Sequence, residues 1–261
     1  MSLANNELNL HALAELVDNA AHKAQAIAQL SAQGESLSLE QAYKVQDLSV
    51  ARRISRGEKQ VGIKMGFTSR AKMIQMGVED MIWGPLTDQM FIEEGGEVSL
   101  ERFIHPRVEP EIAFLLNKPL SGNVTLAEAM AAVEAVAPAL EVIDSRYDNF
   151  KFSLEDVVAD NCSSSGFTIG AWQAPDANLA NLGMVMEFDG KAVQIGSSAA
   201  ILGNPYRSLA AAARVAGEAG KTLPAGSIVL AGASTAAQAM TPNTHVRLVC
   251  EGLGVAEFNI K

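Results

Sequence analysis

A strand-like apolar run carries two glutamates two residues apart: Val108-Glu109-Pro110-Glu111-Ile112-Ala113-Phe114-Leu115-Leu116. Because the side chains of a strand alternate between its two faces, Glu109 and Glu111 point the same way, and Ala113 and Leu115 continue that face. Two like charges this close, on a face that soon becomes apolar, repel each other and are poorly solvated. A divalent cation between them relieves both problems, so the run predicts a metal site.

A third oxygen ligand is available in a second apolar segment. Glu141 lies in the predicted buried strand Ala139–Ile143, about thirty residues after Glu111 and beyond a predicted helix. A strand, helix and strand of this size can return the chain beside its start, which would bring Glu141 to face the pair. Three carboxylates and water form an all-oxygen site, which favours Mg²⁺, Mn²⁺ or Ca²⁺ over zinc. The alternative is a solvated strand face, which the preference of Pro110 for edge strands favours.

Composition limits the class of protein and its partners. The chain has 261 residues, 48% of them hydrophobic, and a net charge of −10, which excludes wholesale disorder and argues against nucleic acid and anionic membranes as partners. The two cysteines, Cys162 and Cys250, are typical of buried residues in a reducing compartment. The N-terminus has no signal-peptide pattern and no apolar run is long enough to span a membrane, so we expect a cytoplasmic protein.

The hydrophobic pattern divides the chain into two parts. Residues 1–60 predict a helical N-terminal region, with one helix running from Leu10 through Leu30 to Gly34. A capping box at Ser38 and Gln41 opens a second helix, which ends at Gly57. Residues 61–261 predict a mixed, β-rich catalytic domain. Its strands do not alternate regularly with helices, so we expect an α+β fold with peripheral helices rather than a doubly wound parallel sheet.

Several elements of the second part have specific local signals. Asp189-Gly190, between two apolar strands, predicts a hairpin with a type I′ turn. Thr125 and Glu128 predict a capped helix that runs to Val133, and a further helix is expected from about Ser208 to Ala219. A short amphipathic turn is predicted from Ser69 to Met76.

Lys64 interrupts the apolar strand that is predicted over Gln60–Gly66. A lysine in such a strand either extends its stem over apolar surface or carries function. Beside carboxylates and a metal, its ammonium could hold an anionic substrate, stabilise an enolate, or form a Schiff base if its pKa were lowered.

Two further segments contain candidate site residues. Asp88 lies in the run Gly84–Met90, where an aspartate serves either as a catalytic acid or as a turn residue. Ser163 lies in the small polar stretch Asp160–Gly166, which either contacts a ligand through hydroxyls and amides or forms an ordinary loop.

Motifs for other enzyme classes are absent. The histidines are scattered without the spacing of a metal site or a catalytic triad, at His11, His22, His105 and His245. The sequence has no nucleophile elbow, Walker loop or dinucleotide fingerprint. These absences argue against serine hydrolases, nucleotide triphosphatases and dinucleotide enzymes.

A series of ordered blocks resembles the hydratase/decarboxylase branch of the fumarylacetoacetate hydrolase superfamily. The blocks are Gly62–Ser69, Ala71–Met73, Gln75–Val78, His105-Pro106, Glu109–Ala113, Glu141–Arg146 and Val158–Asn161, and they extend over nearly the whole chain. The segment Asp144–Phe152, together with Lys64–Gly66 and Ala71–Met73, resembles the decarboxylases of the branch more than the hydratases.

The resemblance implies a mixed β-roll core and a Mg²⁺ or Mn²⁺ ion. By position, it implies that Glu109, Glu111 and Glu141 are the metal ligands, Lys64 is the active-site lysine and Asp88 is a nearby acid. The chain has no counterpart of the histidine-based pair that activates water in the hydrolases of the superfamily, which argues against hydrolysis of a carbon–carbon bond.

The implied reaction is decarboxylation of 4-oxalocrotonate to 2-hydroxypenta-2,4-dienoate in the meta-cleavage breakdown of catechols. The alternative is hydration of 2-hydroxypenta-2,4-dienoate. We expect residues around Trp83, Leu86 and Ser163–Ser165 to decide whether a carboxylate or water occupies the distal pocket. The resemblance also implies a homo-oligomer and a complex with the pathway hydratase. A different class remains open, a non-catalytic partner subunit that docks through its N-terminal helices and holds a structural metal.

Overall fold

The computed structural model describes residues 2–33, 37–69, 73–74 and 80–261. The helices are α1 (Ser2–Lys23), α2 (Leu39–Ser55), α3 (Leu126–Ala131), α4 (Leu154–Ala159) and α5 (Pro205–Glu218). The strands are β1 (Gln60–Gly66), β2 (Ile82–Thr87), β3 (Glu97–Val98), β4 (Arg107–Leu116), β5 (Val133–Ile143), β6 (Ser164–Ile169), β7 (Gly183–Phe188), β8 (Lys191–Ser197), β9 (Ile228–Leu230), β10 (Gln238–Ala239), β11 (Thr244–Cys250) and β12 (Gly254–Ile260).

The described strands form two mixed sheets. One has seven strands in the order β2-β1-β9-β4-β5-β6, with β10 paired to β4. The other has five strands in the order β3-β12-β11-β7-β8. Most pairs are antiparallel, but β1 pairs with β9 and β12 with β3 in parallel. The prediction of an α+β fold with a mixed, strand-rich core is therefore confirmed.

The main hydrophobic core lies between the two sheets and α5. Phe114 of β4, Phe258 of β12 and Leu209 of α5 belong to one buried cluster. The ring of Phe114 lies 5.0 Å from that of Tyr206, so α5 packs directly on the strand that carries the two glutamates. Burial on this scale is the main stabilising contribution in a fold of this kind.

The N-terminal helices form a second cluster against α4. The capping box at Ser38 and Gln41 is present, as predicted, and opens α2. Leu13 of α1 belongs to the same buried cluster as Val45 of α2 and Val158 of α4. The buried Gln46 amide of α2 donates hydrogen bonds to two main-chain carbonyls, so α2 is tied to β2 as well as to α4.

The prediction that the first helix continues to Leu30 is wrong. The helix ends at Lys23, and Ala24 has a φ of 48°, which turns the chain out of the helix. Ile27 then forms a parallel bridge with Tyr147, and its N–H donates to the carbonyl of Arg146 at 2.9 Å. The later apolar residues are therefore buried by docking on a distant segment. Gly34 and most of the predicted turn from Ser69 to Met76 lie outside the described residues.

The other local signals are confirmed with small shifts. Asp189 and Gly190 have φ of 50° and 74°, as a type I′ turn requires. The capping box at Thr125 opens α3, but this helix ends at Ala131 because Val133 already begins β5. Among the described residues, no helix is long and apolar enough to cross a membrane.

Candidate active site

Three glutamates lie together on one face of the β4–β5 pair. The register places Glu109 directly opposite Glu141, and Glu111 follows Glu109 on the same face. The exposed fraction is 8% for Glu109 and 0% for both Glu111 and Glu141. One oxygen from each carboxylate lies within 4.8 Å of the other two. The alternative of a solvated strand face is therefore wrong.

Pro110 does not make β4 an edge strand, because it lies at a break in the neighbouring ladder. On its side of β4 the partner changes from β9 to β10. The carbonyl of Pro110 accepts hydrogen bonds from the N–H and the hydroxyl of Ser234, both in the loop between those strands. The missing N–H of the proline is thus tolerated inside the sheet.

Lys64 joins the glutamates from β1 and completes what we call the carboxylate cluster: Glu109, Glu111, Glu141 and Lys64. Its Nζ lies 3.1 Å from Oε1 and 3.3 Å from Oε2 of Glu141, and the side chain is buried. Burial acts to lower the pKa of Lys64, but the negative charge of Glu141 chiefly, with Glu109 and Glu111, more than offsets this and raises it. Lys64 is therefore an ammonium, which disfavours the Schiff-base alternative.

Glu111 is the most constrained member of the carboxylate cluster. Burial, followed by the nearby charges of Glu141 and Glu109, raises the pKa of Glu111 well above its usual range. Its Oε2 accepts a hydrogen bond of 2.7 Å from the N–H of Gly232. Gly232 has a φ of 98°, and a Cβ there would overlap the side chain of Thr68, so only glycine presents this N–H.

The residues present fit a hard divalent cation. Oε1 of Glu111 is buried and accepts no hydrogen bond from any residue that the structure describes. A buried carboxylate oxygen without a partner is costly, and a cation bound to it would remove that cost. The donors are all oxygens, which suits Mg²⁺, Mn²⁺ or Ca²⁺. Glu109, Glu111 and Glu141 could therefore hold such an ion.

A cavity of about 440 Å³ opens onto the carboxylate cluster. Lys64 and Glu109 form part of its wall, with Thr68 and Ser163 as further polar groups. The remaining wall is largely apolar, from side chains that include Ile82, Phe67, Ile143, Phe152 and Val157. A mostly apolar cavity with a few converging polar groups is typical of a small-molecule site.

The wall of the cavity also contains backbone in the left-handed region. Phe67, Phe150, Cys162 and Ser163 have φ between 51° and 59°, and all four line the cavity. Non-glycine residues adopt this conformation only at a cost, so its concentration here is typical of a functional site. Burial raises the pKa of the Cys162 thiol to about 12, so Cys162 is not a thiolate nucleophile.

Ser163 lies in the cavity wall, as its prediction as a substrate-binding residue requires. Its Oγ is buried and has no hydrogen-bond partner within the described ranges. The chain around it is held firmly, since its carbonyl accepts the N–H of Asp144 at 2.8 Å. The hydroxyl is thus free to bond a ligand, and its role stays a prediction.

The structure does not bring Asp88 and Leu86 to this cavity. The Asp88 carboxylate accepts the N–H of Lys59 at 2.9 Å and lines a different cavity, beside Arg53 and Arg102. Leu86 is fully buried in a small core with residues such as Phe167. Both residues belong to the end of β2 or follow it, and β2 is the outermost strand of its sheet.

Three residues near the carboxylate cluster were missed at the sequence level. Gly232 acts through its backbone N–H and carries no recognisable motif. Thr68 lies close to Gly232 and belongs to the block Gly62–Ser69, but no role was predicted for it. Arg107 lines the cavity and lies two residues before Glu109 on the same strand. Strand alternation therefore places both side chains on one face, and this pattern could have predicted Arg107 as a site residue.

Comparisons with known proteins agree with the site and the fold. The family described as Fumarylacetoacetate (FAA) hydrolase C-terminal matches residues 59–261. A 4-oxalocrotonate decarboxylase from Pseudomonas sp is 56% identical over 252 residues, which cover 97% of this chain and 98% of the relative. A 2-hydroxypent-2,4-dienoate hydratase from Pseudomonas putida is 38% identical over 195 residues, which cover 73% of this chain and 88% of the relative.

A solved structure matches over almost the full length. The 4-oxalocrotonate decarboxylase from Pseudomonas putida G7, complexed with magnesium and adipate, superposes with a TM-score of 0.95 at 39% identity and covers 98% of both chains. The expected fold of the superfamily is therefore confirmed. By the extent of both the sequence match and the structural match, the chain belongs to the fumarylacetoacetate hydrolase family.

Proposed function

We propose that this chain catalyses the metal-dependent decarboxylation of 4-oxalocrotonate to 2-hydroxypenta-2,4-dienoate. The observation that carries the proposal is the carboxylate cluster, with three buried carboxylates and one buried ammonium, two members of which line a cavity. The choice of reaction is supported by the decarboxylase relative, which is 56% identical over 97% of the chain, against 38% over 73% for the hydratase. The relative with magnesium also holds adipate, a dicarboxylate with the same number of carbons as 4-oxalocrotonate.

Glu109, Glu111 and Glu141 would hold a Mg²⁺ or Mn²⁺ ion. When bound, such an ion supplies Lewis-acid stabilisation of negative charge that develops on the 2-oxo group of a substrate. The N–H of Gly232 keeps the Glu111 carboxylate oriented through Oε2, which leaves Oε1 available. A ligand held by a fixed partner loses little freedom on binding a cation.

Lys64 would place a second positive charge at the 2-oxo end of the substrate. The bond between C5 and the distal carboxylate breaks, carbon dioxide leaves, and the electron pair moves through the conjugated chain to the C2 oxygen. The Lys64 ammonium stabilises that oxygen by hydrogen bonding and can return a proton to it, which gives the enol product. Glu141, 3.1 Å from Nζ, keeps the ammonium in position.

The rest of the cavity would hold the substrate and restrict water. Ser163 offers a buried hydroxyl that is free to bond a substrate oxygen. Decarboxylation needs no attacking water, and the apolar wall that includes Ile82 and Phe152 suits a reaction that loses carbon dioxide. Asp88 and Leu86 are left out of the proposed site because they lie away from this cavity.

The proposal is tested by measuring carbon dioxide release from 4-oxalocrotonate with chelator-treated protein, before and after addition of Mg²⁺ or Mn²⁺. Release that depends on the metal is the expected result. Metal-dependent consumption of 2-hydroxypenta-2,4-dienoate without carbon dioxide release would replace the proposal with a hydratase. Neither activity would leave the non-catalytic partner subunit as the interpretation.

We also propose how the chain is organised and where it acts. The site residues come from residues 61–261, and residues 1–60 support them, since Gln46 bonds the carbonyl of Trp83. We expect a homo-oligomer, and a complex with the pathway hydratase, because Ile195 and other large apolar side chains are exposed. Both cysteines are unpaired, which suits the cytoplasm. Light scattering of the chain, alone and mixed with the hydratase, tests the assemblies.

A further inference from the structure

Arg107 places an unpaired positive charge in the wall of the cavity. It begins β4, and strand alternation puts it on the same face as Glu109 and Glu111. Its guanidinium lies over the ring of Phe150, with 4.8 Å between the Cζ atom and the ring centroid. Within the described ranges, no aspartate or glutamate forms an ion pair with Arg107. Arg107 is exposed, so the part of the chain that the structure describes leaves its charge at the cavity wall accessible to a ligand.

The spacing along β4 suits a dicarboxylate. Two residues of a strand advance the chain by roughly 6.5 Å, so the Arg107 side chain starts one such step from Glu109. An extended six-carbon diacid separates its two carboxylates by a similar distance. A 2-oxo acid end at the carboxylate cluster would therefore direct the far carboxylate towards Arg107.

The contact with Phe150 leaves the guanidinium ready to bind. A planar guanidinium that stacks on a ring keeps its N–H groups in the plane, where they can donate two parallel hydrogen bonds to a carboxylate. Phe150 lines the same cavity, and its φ of 58° shows that its backbone takes a costly conformation to place the ring there. The ring and the cation form one wall of the cavity.

We propose that Arg107 binds the distal carboxylate of the substrate and thereby selects dicarboxylates over monocarboxylates. The inference rests on the proposed function, because it assigns the two ends of a 2-oxo dicarboxylate to two places in one cavity. The distal carboxylate loses its charge as carbon dioxide forms, so its bond to Arg107 is stronger before the reaction than in the transition state. Arg107 therefore lowers KM and sets the selectivity, and its contact with the distal carboxylate does not raise kcat.

The test compares two inert 2-oxo acids that differ only at the far end. 2-Oxoadipate carries the distal carboxylate, and 2-oxohexanoate has a methyl group there; both lack the double bond that the reaction needs. Their binding to the magnesium-loaded protein is measured by calorimetry for the wild type, Arg107→Met and Arg107→Lys. Arg102→Met is the matched control, since the Arg102 guanidinium lies over Phe103 in the same way but in another cavity.

We expect the wild type and Arg102→Met to prefer 2-oxoadipate by about ten- to a hundredfold, the range for a charge-assisted pair of hydrogen bonds. Arg107→Met should lose this preference and bind 2-oxohexanoate as the wild type does, which also shows that the variant is folded. Arg107→Lys should recover part of the preference. The proposed role of Arg107 would be overturned if Arg107→Met bound both acids more weakly by the same factor, or if it kept the preference for 2-oxoadipate.

Carbon dioxide release by the same wild-type preparation reports separately on the proposed function. If the wild type binds 2-oxoadipate selectively through Arg107 but releases no carbon dioxide from 4-oxalocrotonate, the selectivity stands and the reaction is wrong. If the wild type binds both acids equally, the inference fails even where decarboxylation is observed. With 4-oxalocrotonate as substrate, Arg107→Met should raise KM and leave kcat equal to or above that of the wild type.

Discussion

Two buried ionic clusters lie only three residues apart along the chain, at Glu141 and Asp144, and they differ in how fully their charges are satisfied. The carboxylate cluster has three carboxylates and one ammonium. What we call the arginine cluster consists of Asp144, Arg146 and Asp160, which follow β5 and α4. Both are shielded from solvent, so burial alone does not tell a binding site from a structural network.

Every carboxylate oxygen in the arginine cluster has a partner. The backbone N–H of Arg146 donates to Oδ2 of Asp160 at 2.9 Å, and its Nε donates to Oδ1. The two oxygens of Asp144 accept the N–H groups of Ile104 and His105, both at 2.8 Å. The remaining guanidinium nitrogens donate to main-chain carbonyls, including those of Asp144 and Asp160 at 2.6 Å.

The carboxylate cluster is incomplete by the same measure. Oε1 of Glu111 accepts no hydrogen bond from the part of the chain that the structure describes, although Lys64 bonds the neighbouring Glu141. A buried network that is fully bonded orders the chain, whereas one with an unused carboxylate oxygen can accept a ligand. The difference supports our proposal that the carboxylate cluster binds a cation and that the arginine cluster is structural.

Glu111→Gln should have the largest effect. The side chain keeps its shape, and its oxygen can still accept the Gly232 N–H. We expect kcat/KM for 4-oxalocrotonate to fall about a thousandfold, because Lewis-acid stabilisation of a transition state is worth several kcal/mol. Magnesium affinity, measured by calorimetry, should fall with it.

The same variant should be more stable than the wild type in the absence of metal. At a pH above the folded pKa of Glu111, where its carboxyl is ionised, removing this buried charge should raise the free energy of unfolding by about 1 kcal/mol. Urea titration of the chelator-treated proteins measures this. A loss of stability would mean that the carboxylate cluster is a satisfied network like the arginine cluster, which would contradict the difference between the two clusters.

Asp160→Asn should destabilise the fold and leave magnesium binding unchanged. It leaves the buried Arg146 guanidinium without its charged partner, which should lower the free energy of unfolding by about 3 kcal/mol. Magnesium affinity of the folded fraction should stay unchanged, since Asp160 does not belong to the carboxylate cluster. Urea titration and calorimetry below the unfolding transition measure the two effects. A variant that folds normally but binds no magnesium would contradict the structural role.

Lys64→Met should separate catalysis from metal binding. It removes the only cation of the carboxylate cluster, so magnesium affinity should rise or stay constant while kcat falls about a hundredfold. The matched control is Lys221→Met, whose ammonium lies 4.9 Å from the ring centroid of Trp83 and outside the site cavity. It should keep wild-type kcat. Steady-state kinetics at saturating Mg²⁺ measure kcat for both variants. Weaker magnesium binding in Lys64→Met would contradict the expected repulsion between its ammonium and the cation.

The sequence predicted those features of the fold and the site that depend on neighbouring residues alone. Strand alternation puts Glu109 and Glu111 on one face, and the apolar run around Glu141 predicts the strand that pairs with them. The capping box at Ser38 and the turn at Asp189-Gly190 are also local, because each depends on a few neighbouring residues. These features need no knowledge of the tertiary fold.

The features that the sequence did not predict correctly depend on contacts with distant parts of the chain. The first helix ends early because Ile27 docks on the chain at Arg146, over a hundred residues away. The surroundings of Leu86 follow from the position of β2 in the strand order, which no local pattern contains. Gly232 contributes a main-chain N–H from a loop far along the chain, so its side-chain type carries no signal for the site.

The smallest expected effect is a coupling between magnesium and protons at Glu111. The pKa of Glu111 is raised in the folded protein by burial and by the nearby carboxylates, so the metal-free protein retains a proton there that the unfolded chain gives up. Its contribution to stability is therefore fully present below the unfolded pKa and is lost as the pH rises towards the folded pKa. The arginine cluster has no unused carboxylate oxygen and should show no response to magnesium.

Magnesium should replace this proton when it binds. Its affinity should then increase with pH up to the folded pKa of Glu111, and binding should release up to about one proton. Calorimetry in two buffers with different heats of ionisation measures the number released, and Glu111→Gln should reduce it to near zero. Proton release that persists in Glu111→Gln would locate the titrating group elsewhere, and the surplus charge of the carboxylate cluster would then be held without a proton.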